Sequence, residues 1–308
     1  MTDTAGREKA RLAGPPPCSA RARLAAEPLA ATASFGRRWL LLEVAGAWGP
    51  SAFRQSPAVD PALGARIERQ AAAGGFRLAA IRRPGRARHA SGPQHRWARV
   101  DTTPGGESIV WGEAAEPAAY LTDPFTQPGT PAAGNLIAVC AHGRHDQCCA
   151  TRGRAVAAEL WRDDPAAVWE CSHIGGDRFA ATMLLFPHGI NYGWADTLGA
   201  RAMVREYQAG RVLLPGLRGR CSFTFLEQAA QDAARRAYGD LRIDAYQPVQ
   251  TARTGPRSWE VHLADPAGPV RVELEETMSA PLYSNCAATV AVARPVFAVR
   301  GVSRQAAR

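Results

Sequence analysis

Apolar residues in this chain come in short runs broken by glycine and proline, and the period of each run predicts its element. WLLLEV, after Arg38, reads as a strand that ends in the turn AGAWGPSAF. Asp60 to Ala73 carries Ala62, Leu63 and Ile67 at helical spacing, and Gly74-Gly75 stops the helix. FRLAAIRR follows as a strand, so the first part of the chain is β-α-β. The Pro/Gly/Thr stretch TDPFTQPGTPAAGN reads as a linker. Leu136 to Cys140 then forms a short buried strand that ends in the loop AHGRHDQ. A helix is expected from Cys149 to Trp161, with Val156, Leu160 and Trp161 sharing a face. Ala167 to Cys171 is the next strand, and HIGGDRF a glycine turn. Ala181–Phe186 and Ile190–Trp194 flank a Pro-His-Gly turn as a hairpin, and Asp196 caps a helix from Thr197 to Ala209 that Gly210 ends. Past LLPGLRGR, an alanine-rich helix at Phe223–Tyr238 precedes strands near Ala245–Thr251, Ser258–Leu263 and Val270–Glu275.

These elements divide the 308 residues into a disordered lead (1–17), an N-terminal α/β lobe (18–121), a linker (122–135), a central α/β domain (136–215) and a small C-terminal α+β appendage (216–308). No apolar run approaches the roughly 20 residues that cross a bilayer. The polar, alanine-rich start lacks the apolar core of a signal peptide, so a cytoplasmic location without membrane association is expected. The formal charge is +9, and Arg82, Arg83, Arg86, Arg88, Arg96 and Arg99 crowd one Pro/Gly-containing segment. A solvated loop is the favoured reading of that segment, with an acidic protein partner second. Nucleic acid comes last, because no recognition helix or RNA-binding motif accompanies the charge.

The chemistry is concentrated between Leu136 and His188. Cys140, Cys148, Cys149 and Cys171, four of the seven cysteines, share this stretch with His142, His145, His173 and Asp177. An odd cysteine count with two adjacent does not look like a secreted disulfide framework; it points to metal or redox work. Cys140 ends a strand and Cys149 starts a helix, so both sulfurs are expected to be exposed to one centre, with Cys149 easily ionised by the helix N-terminus. Gly175 and Gly176 let the backbone bend so that His173 and Asp177 face the same point. Cys18, Cys221 and Cys286 read as isolated or structural, His142 and His145 as solvated loop residues with metal ligation or proton relay the alternative, His188 as exposed, and Trp48 and Trp97 as core. Arg144, Arg152, Arg154 and Arg178 would surround the centre with positive charge or pair with Asp146, Asp163 and Asp164.

The frame VCAHGRHDQCCATRGRAVAAEL followed by WECSHIGGDRF, a Cys-x8-Cys pattern and then His-x-Gly-Gly, resembles the sucrase/ferredoxin-like family, which contains thioredoxin-like [2Fe-2S] ferredoxins. CSARARLAAEPLAATA and RRWLLLEVAGAWG resemble its opening segment, so the likeness runs over roughly residues 18 to 215. It implies an α/β fold with a thioredoxin-like ferredoxin core; the β-α-β order of the N-terminal lobe reads separately as a degenerate lobe of the same kind. It also implies one-electron transfer by a [2Fe-2S] cluster held by two cysteines and two histidines of a His-x-Gly-Gly-His motif. Carried onto this chain, Cys140, Cys149 and His173 keep their roles, while position 177 is Asp. Asp177 is the preferred fourth ligand, Cys171 the alternative, and Cys148 a spare. Two thiolates on one iron and a histidine on the other raise the potential above that of plant-type ferredoxins, and a carboxylate pulls it back. An electron carrier serving a redox partner is expected, rather than an enzyme with its own substrate pocket. The competing readings of the same residues are a closed structural zinc site, a thiol-redox protein, and an adaptor without a cluster. No paired carboxylates are placed for glycoside hydrolysis.

Overall fold

The computed structural model describes residues 16–85 and 95–304. After a short helix α1 (Cys18–Leu24), the chain forms β1 (Arg38–Glu43), α2 (Pro61–Ala73), β2 (Arg77–Arg82), β3 (Arg96–Asp101) and β4 (Ser108–Glu113). Asp60 caps α2 by accepting from the Ala62 and Leu63 amides, and Pro61 at its first turn needs no amide partner. β2 runs parallel to β1, β3 antiparallel to β1, and β4 antiparallel to β3. Within 122–135 the chain forms the single turn α3 (Asp123–Thr126) and β5 (Thr130–Pro131), which adds to β4.

The sequence then repeats this arrangement. β6 (Leu136–Cys140) leads through a π-helical turn at Cys149–Gly153 into α4 (Arg154–Asp163), followed by β7 (Val168–Cys171), β8 (Met183–Phe186), β9 (Ile190–Tyr192) and α5 (Thr197–Gln208). β7 is parallel to β6, β8 antiparallel to β6, and β9 antiparallel to β8. Each half is thus a helix-crossed parallel pair followed by an antiparallel hairpin and a helix, the order of a thioredoxin-like core. β2 and β7 pair antiparallel and fuse the halves into one ten-stranded sheet. Its order, β10-β9-β8-β6-β7-β2-β1-β3-β4-β5, reads outward from that join in the same way on both sides, and β10 (Leu217–Arg220) extends one end as β5 extends the other. All of β6, β7, β8 and β9 is buried, as expected of strands covered on both faces.

The remaining chain is α6 (Phe225–Tyr238) against an antiparallel sheet of β11 (Gln247–Arg253), β12 (Ser258–Ala264), β13 (Val270–Met278) and β14 (Pro295–Arg304). Thr224 and Glu227 form a capping box at the start of α6. β14 comes from a closing run in which no strand is evident from the pattern. Among the described residues no helix is long and apolar enough to cross a membrane.

The arginine-rich segment is not a solvated patch where it is described. Arg82 is buried in an ion pair with Glu170 at 2.7 Å and lies over Trp48, while Arg83 stacks on Trp169 and donates to the Pro165 and Ala166 carbonyls. Arg99 donates to the Pro124 and Pro128 carbonyls. Arg86 and Arg88 lie outside the described residues, as does nearly all of the expected disordered lead.

Candidate metal centre

The all-apolar β6 carries Cys140 to its C-terminal end, where the chain leaves the sheet in the loop that returns at Cys149. Gly153 makes that return possible: a Cβ there would stand 1.8 Å from the Cys140 carbonyl oxygen, so only glycine lets the first helical turn lie against the strand. In parallel with β6, β7 ends at Cys171, opposite Cys140. Beyond it Gly175 and Gly176 take φ of +95° and +88°, the left-handed region glycine tolerates, and the chain folds back at Asp177. A side chain on Gly176 would strike the Arg218 guanidinium at 2.6 Å.

The turn brings four of the expected residues into a closed ring. Cys140 shares hydrogen bonds with Cys149 and with His173. Cys149 Sγ lies 3.3 Å from Asp177 Oδ1, and His173 Nδ1 lies 2.8 Å from that same oxygen. Two sulfurs face each other on one side, with an imidazole and a carboxylate on the other. The His173 approach is close without being an aligned hydrogen bond, and Nδ1 is a buried atom with no hydrogen-bond partner.

Both sulfurs are buried and face one point, as expected, while the expectation of an easily ionised Cys149 is corrected. Cys149 is pushed up by its hydrogen bond to Cys140, by burial and by the Cys140 and Asp177 charges. The thiolate of the pair is Cys140, held well below the usual thiol range by the Cys149 hydrogen bond, against burial, with help from His173. Burial lowers His173, but the Asp177 carboxylate and Cys140 outweigh it and raise it to about 9. Burial also opposes ionisation of Asp177, yet the close approach and charge of His145 and His173 hold it below the usual carboxylate range. Cys171, fully buried beside Cys140, is pushed up by burial and by the Cys140 charge.

The two loop histidines are not solvated spectators. His142 is 3% exposed, with Nε2 2.7 Å from the Gly49 carbonyl of the first half and its ring edge-on to Trp48. His145 stacks on His173 at 4.0 Å, and its Nε2 stands 3.4 Å from Asp177 Oδ2, so His145, His173 and Asp177 form a three-donor group. His188 is half-buried, with Nδ1 2.8 Å from the Tyr207 hydroxyl. Cys18 and Cys286 are not isolated: both meet Cys148 and Asp146, a group with no local spacing to reveal it. Cys221 is buried and donates to the Gly36 carbonyl, which fits its structural reading.

The charge around the centre also differs from the expectation. Arg178 is taken up by Glu27 at 2.6 Å, and Arg201 pairs with Asp163, while Asp146 and Asp164 accept backbone amides. The buried cation at the turn is Arg218, 1% exposed, which donates to the Gly175 carbonyl at 2.9 Å and feels the charges of Asp177 and Cys140. Arg144 and Arg154 line a cavity of about 320 Å³ with His142, Trp48 and Arg82.

No curated protein and no solved structure matches the chain. A family model does, over residues 33–219, more than half of the chain and the whole of the metal-centre loop and turn, though neither Cys18 nor Cys286. With that span matched and the motif residues gathered at one point, the chain belongs to the sucrase/ferredoxin-like family.

Proposed function

We propose that this protein carries a [2Fe-2S] cluster on Cys140, Cys149, His173 and Asp177 and passes single electrons to a protein partner. The observation that carries this reading is the ring of donors, paired as two sulfurs against a nitrogen and an oxygen, with His173 Nδ1 left without a hydrogen bond. A donor set divided in this way suits two adjacent irons of unlike ligation. The cluster, when bound, supplies a one-electron couple; the chain does the rest. Gly175 and Gly176 aim Asp177, His145 fixes its second carboxylate oxygen, and the Gly49 carbonyl anchors His142 at the loop base. Arg218 places a positive charge in the protein interior beside the donors, which favours the more negative, reduced state. An excess of basic residues over the whole chain suits an acidic redox partner.

A second reading has its own observation. The donor atoms of His145, His173 and Asp177 lie within 4.8 Å of one another, close enough to hold a single ion such as zinc without either cysteine. Metal and sulfide analysis separates the two readings. With a cluster, the protein contains equal iron and sulfide, and Cys140→Ala and Cys149→Ala both lose them. Zinc that survives both substitutions and is lost in His145→Ala would establish the single-ion site instead.

A further inference from the structure

Three thiols from distant parts of the chain converge beside the metal-centre loop. Cys18 lies on α1, Cys148 closes the loop, and Cys286 lies on the connection between β13 and β14. Cys286 Sγ is 3.5 Å from both Cys148 Sγ and Cys18 Sγ. The Asp146 carboxylate is the fourth member: its oxygens stand 3.8 and 3.7 Å from Cys18 Sγ, and Oδ1 is 3.7 Å from Cys286 Sγ. All four donor atoms lie within 4.8 Å of one another. We propose that Cys18, Cys148, Cys286 and Asp146 bind one zinc ion, in a structural site separate from the Cys140 centre.

The spacing matches a single tetrahedral ion. Zn–S bonds of about 2.3 Å and Zn–O bonds of about 2.1 Å imply S···S edges of about 3.8 Å and S···O edges of about 3.6 Å. The observed 3.5 Å sulfur contacts and 3.7–3.8 Å sulfur–oxygen contacts sit close to those edges. Three sulfurs and a carboxylate that all approach one another this closely fit the shell of one ion.

The surroundings are those of held ligands. Asp146 accepts from the Cys148 and Cys286 amides, each at 2.7 Å, which fixes both carboxylate oxygens. The Ser19 hydroxyl donates to Cys148 Sγ at 3.2 Å. Such outer bonds orient the ligands of a metal site. Cys18, Cys148 and Asp146 are almost completely buried, while Cys286 is half-buried and gives the ion its way in. Four protein ligands leave no open position, so the role is structural. Each thiol surrenders its proton to solvent as the ion binds. The ion would tie α1, the Cys149 loop and the β13–β14 connection at one point. Two of its ligands lie outside the span that matches the family.

The test is metal analysis of the full chain, grown with zinc and iron, as wild type, Cys18→Ser, Cys286→Ser and Cys140→Ala. The expected result is one zinc per chain in the wild type and in Cys140→Ala, and its loss in both serine variants. Cobalt in place of zinc should give thiolate-to-cobalt charge transfer and the intense d–d bands of a tetrahedral site, absent from Cys286→Ser. Should the serine variants precipitate, differential alkylation of the wild type decides. Chelation should expose Cys18, Cys148 and Cys286 to the reagent, and added zinc should protect all three. Wild type without zinc, zinc retained in both serine variants, zinc lost only in Cys140→Ala, no protection on zinc addition, or a disulfide among the three cysteines would each overturn the proposal.

Discussion

At position 177 a carboxylate stands where the family resemblance implies an imidazole, and its neighbours show what the exchange does. One oxygen faces Cys149 and His173, the other His145. Replacing Asp177 with His removes a negative charge from the ligand set, so the reduction potential should rise. Redox titration of Asp177→His beside wild type checks this; an unchanged or lower potential would exclude Asp177 as a ligand. In metal-free protein, the Asp177–His173 pair should add stability that Asp177→Asn lacks. His173 is raised, so its contribution is complete below its unfolded value of about 6.5 and is lost as pH climbs through about 9. Asp177 is lowered, so its contribution is complete above about 4 and is lost in acid. The gap in melting temperature between the two proteins should therefore be widest between those values and close on either side. That Cys140 would meet Cys149, and His173 Asp177, was legible from the strand end, the helix start and the glycine turn, whereas the departure at 177 rests on the resemblance. The place of His145 was not legible, because nothing local says which way a loop closes, and Cys149 is not easily ionised, since its hydrogen bond to Cys140 and burial oppose the helix N-terminus.

The elements around the centre depend on glycines in two different ways. Gly176 permits a left-handed turn, whereas Gly153 permits contact between the π-helical turn and the end of β6. Gly153→Ala would force a Cβ into backbone that cannot yield as a side chain would. Such overpacking costs about 1–3 kcal/mol, and the same shift separates Cys149 from Cys140. Denaturant unfolding should show the loss of stability, and metal analysis a lower metal content than in wild type. Wild-type stability and metal content would contradict this reading of the turn. α2, α5 and α6 were legible to within two residues, because Asp60, Asp196 and Thr224 cap them through their own side chains, whereas α1 and α3 were not read from the pattern and α4 begins five residues later than expected. The π-helical turn was not, since its cause is the approach of β6 and not a local preference. Cys18, Cys148 and Cys286 likewise meet only after three segments have packed.

On the scale of the whole molecule, two halves of thioredoxin-like strand order share one sheet, and the candidate metal centre stands beside their junction. Gly49, Trp48 and Arg82 of the first half reach the loop or its cavity, and Arg82 and Glu170 form a buried ion pair across β2 and β7. Glu170→Ala would leave the Arg82 charge buried with its carboxylate removed, at a cost of about 3–5 kcal/mol. Chemical denaturation should register that loss; a change below about 1 kcal/mol would show that the pair does not secure the junction. The β-α-β start of the first half was readable from its periods. Its full equivalence to the second half was not, because the halves share topology without a visible sequence repeat, and strand order depends on pairings across many residues. The most direct test of the proposed centre is the visible and EPR spectrum of anaerobically purified wild-type protein, with iron and sulfide assayed on the same sample. The account predicts a red-brown protein with equal iron and sulfide and an EPR signal that appears on one-electron reduction; a colourless protein lacking iron and sulfide would contradict it.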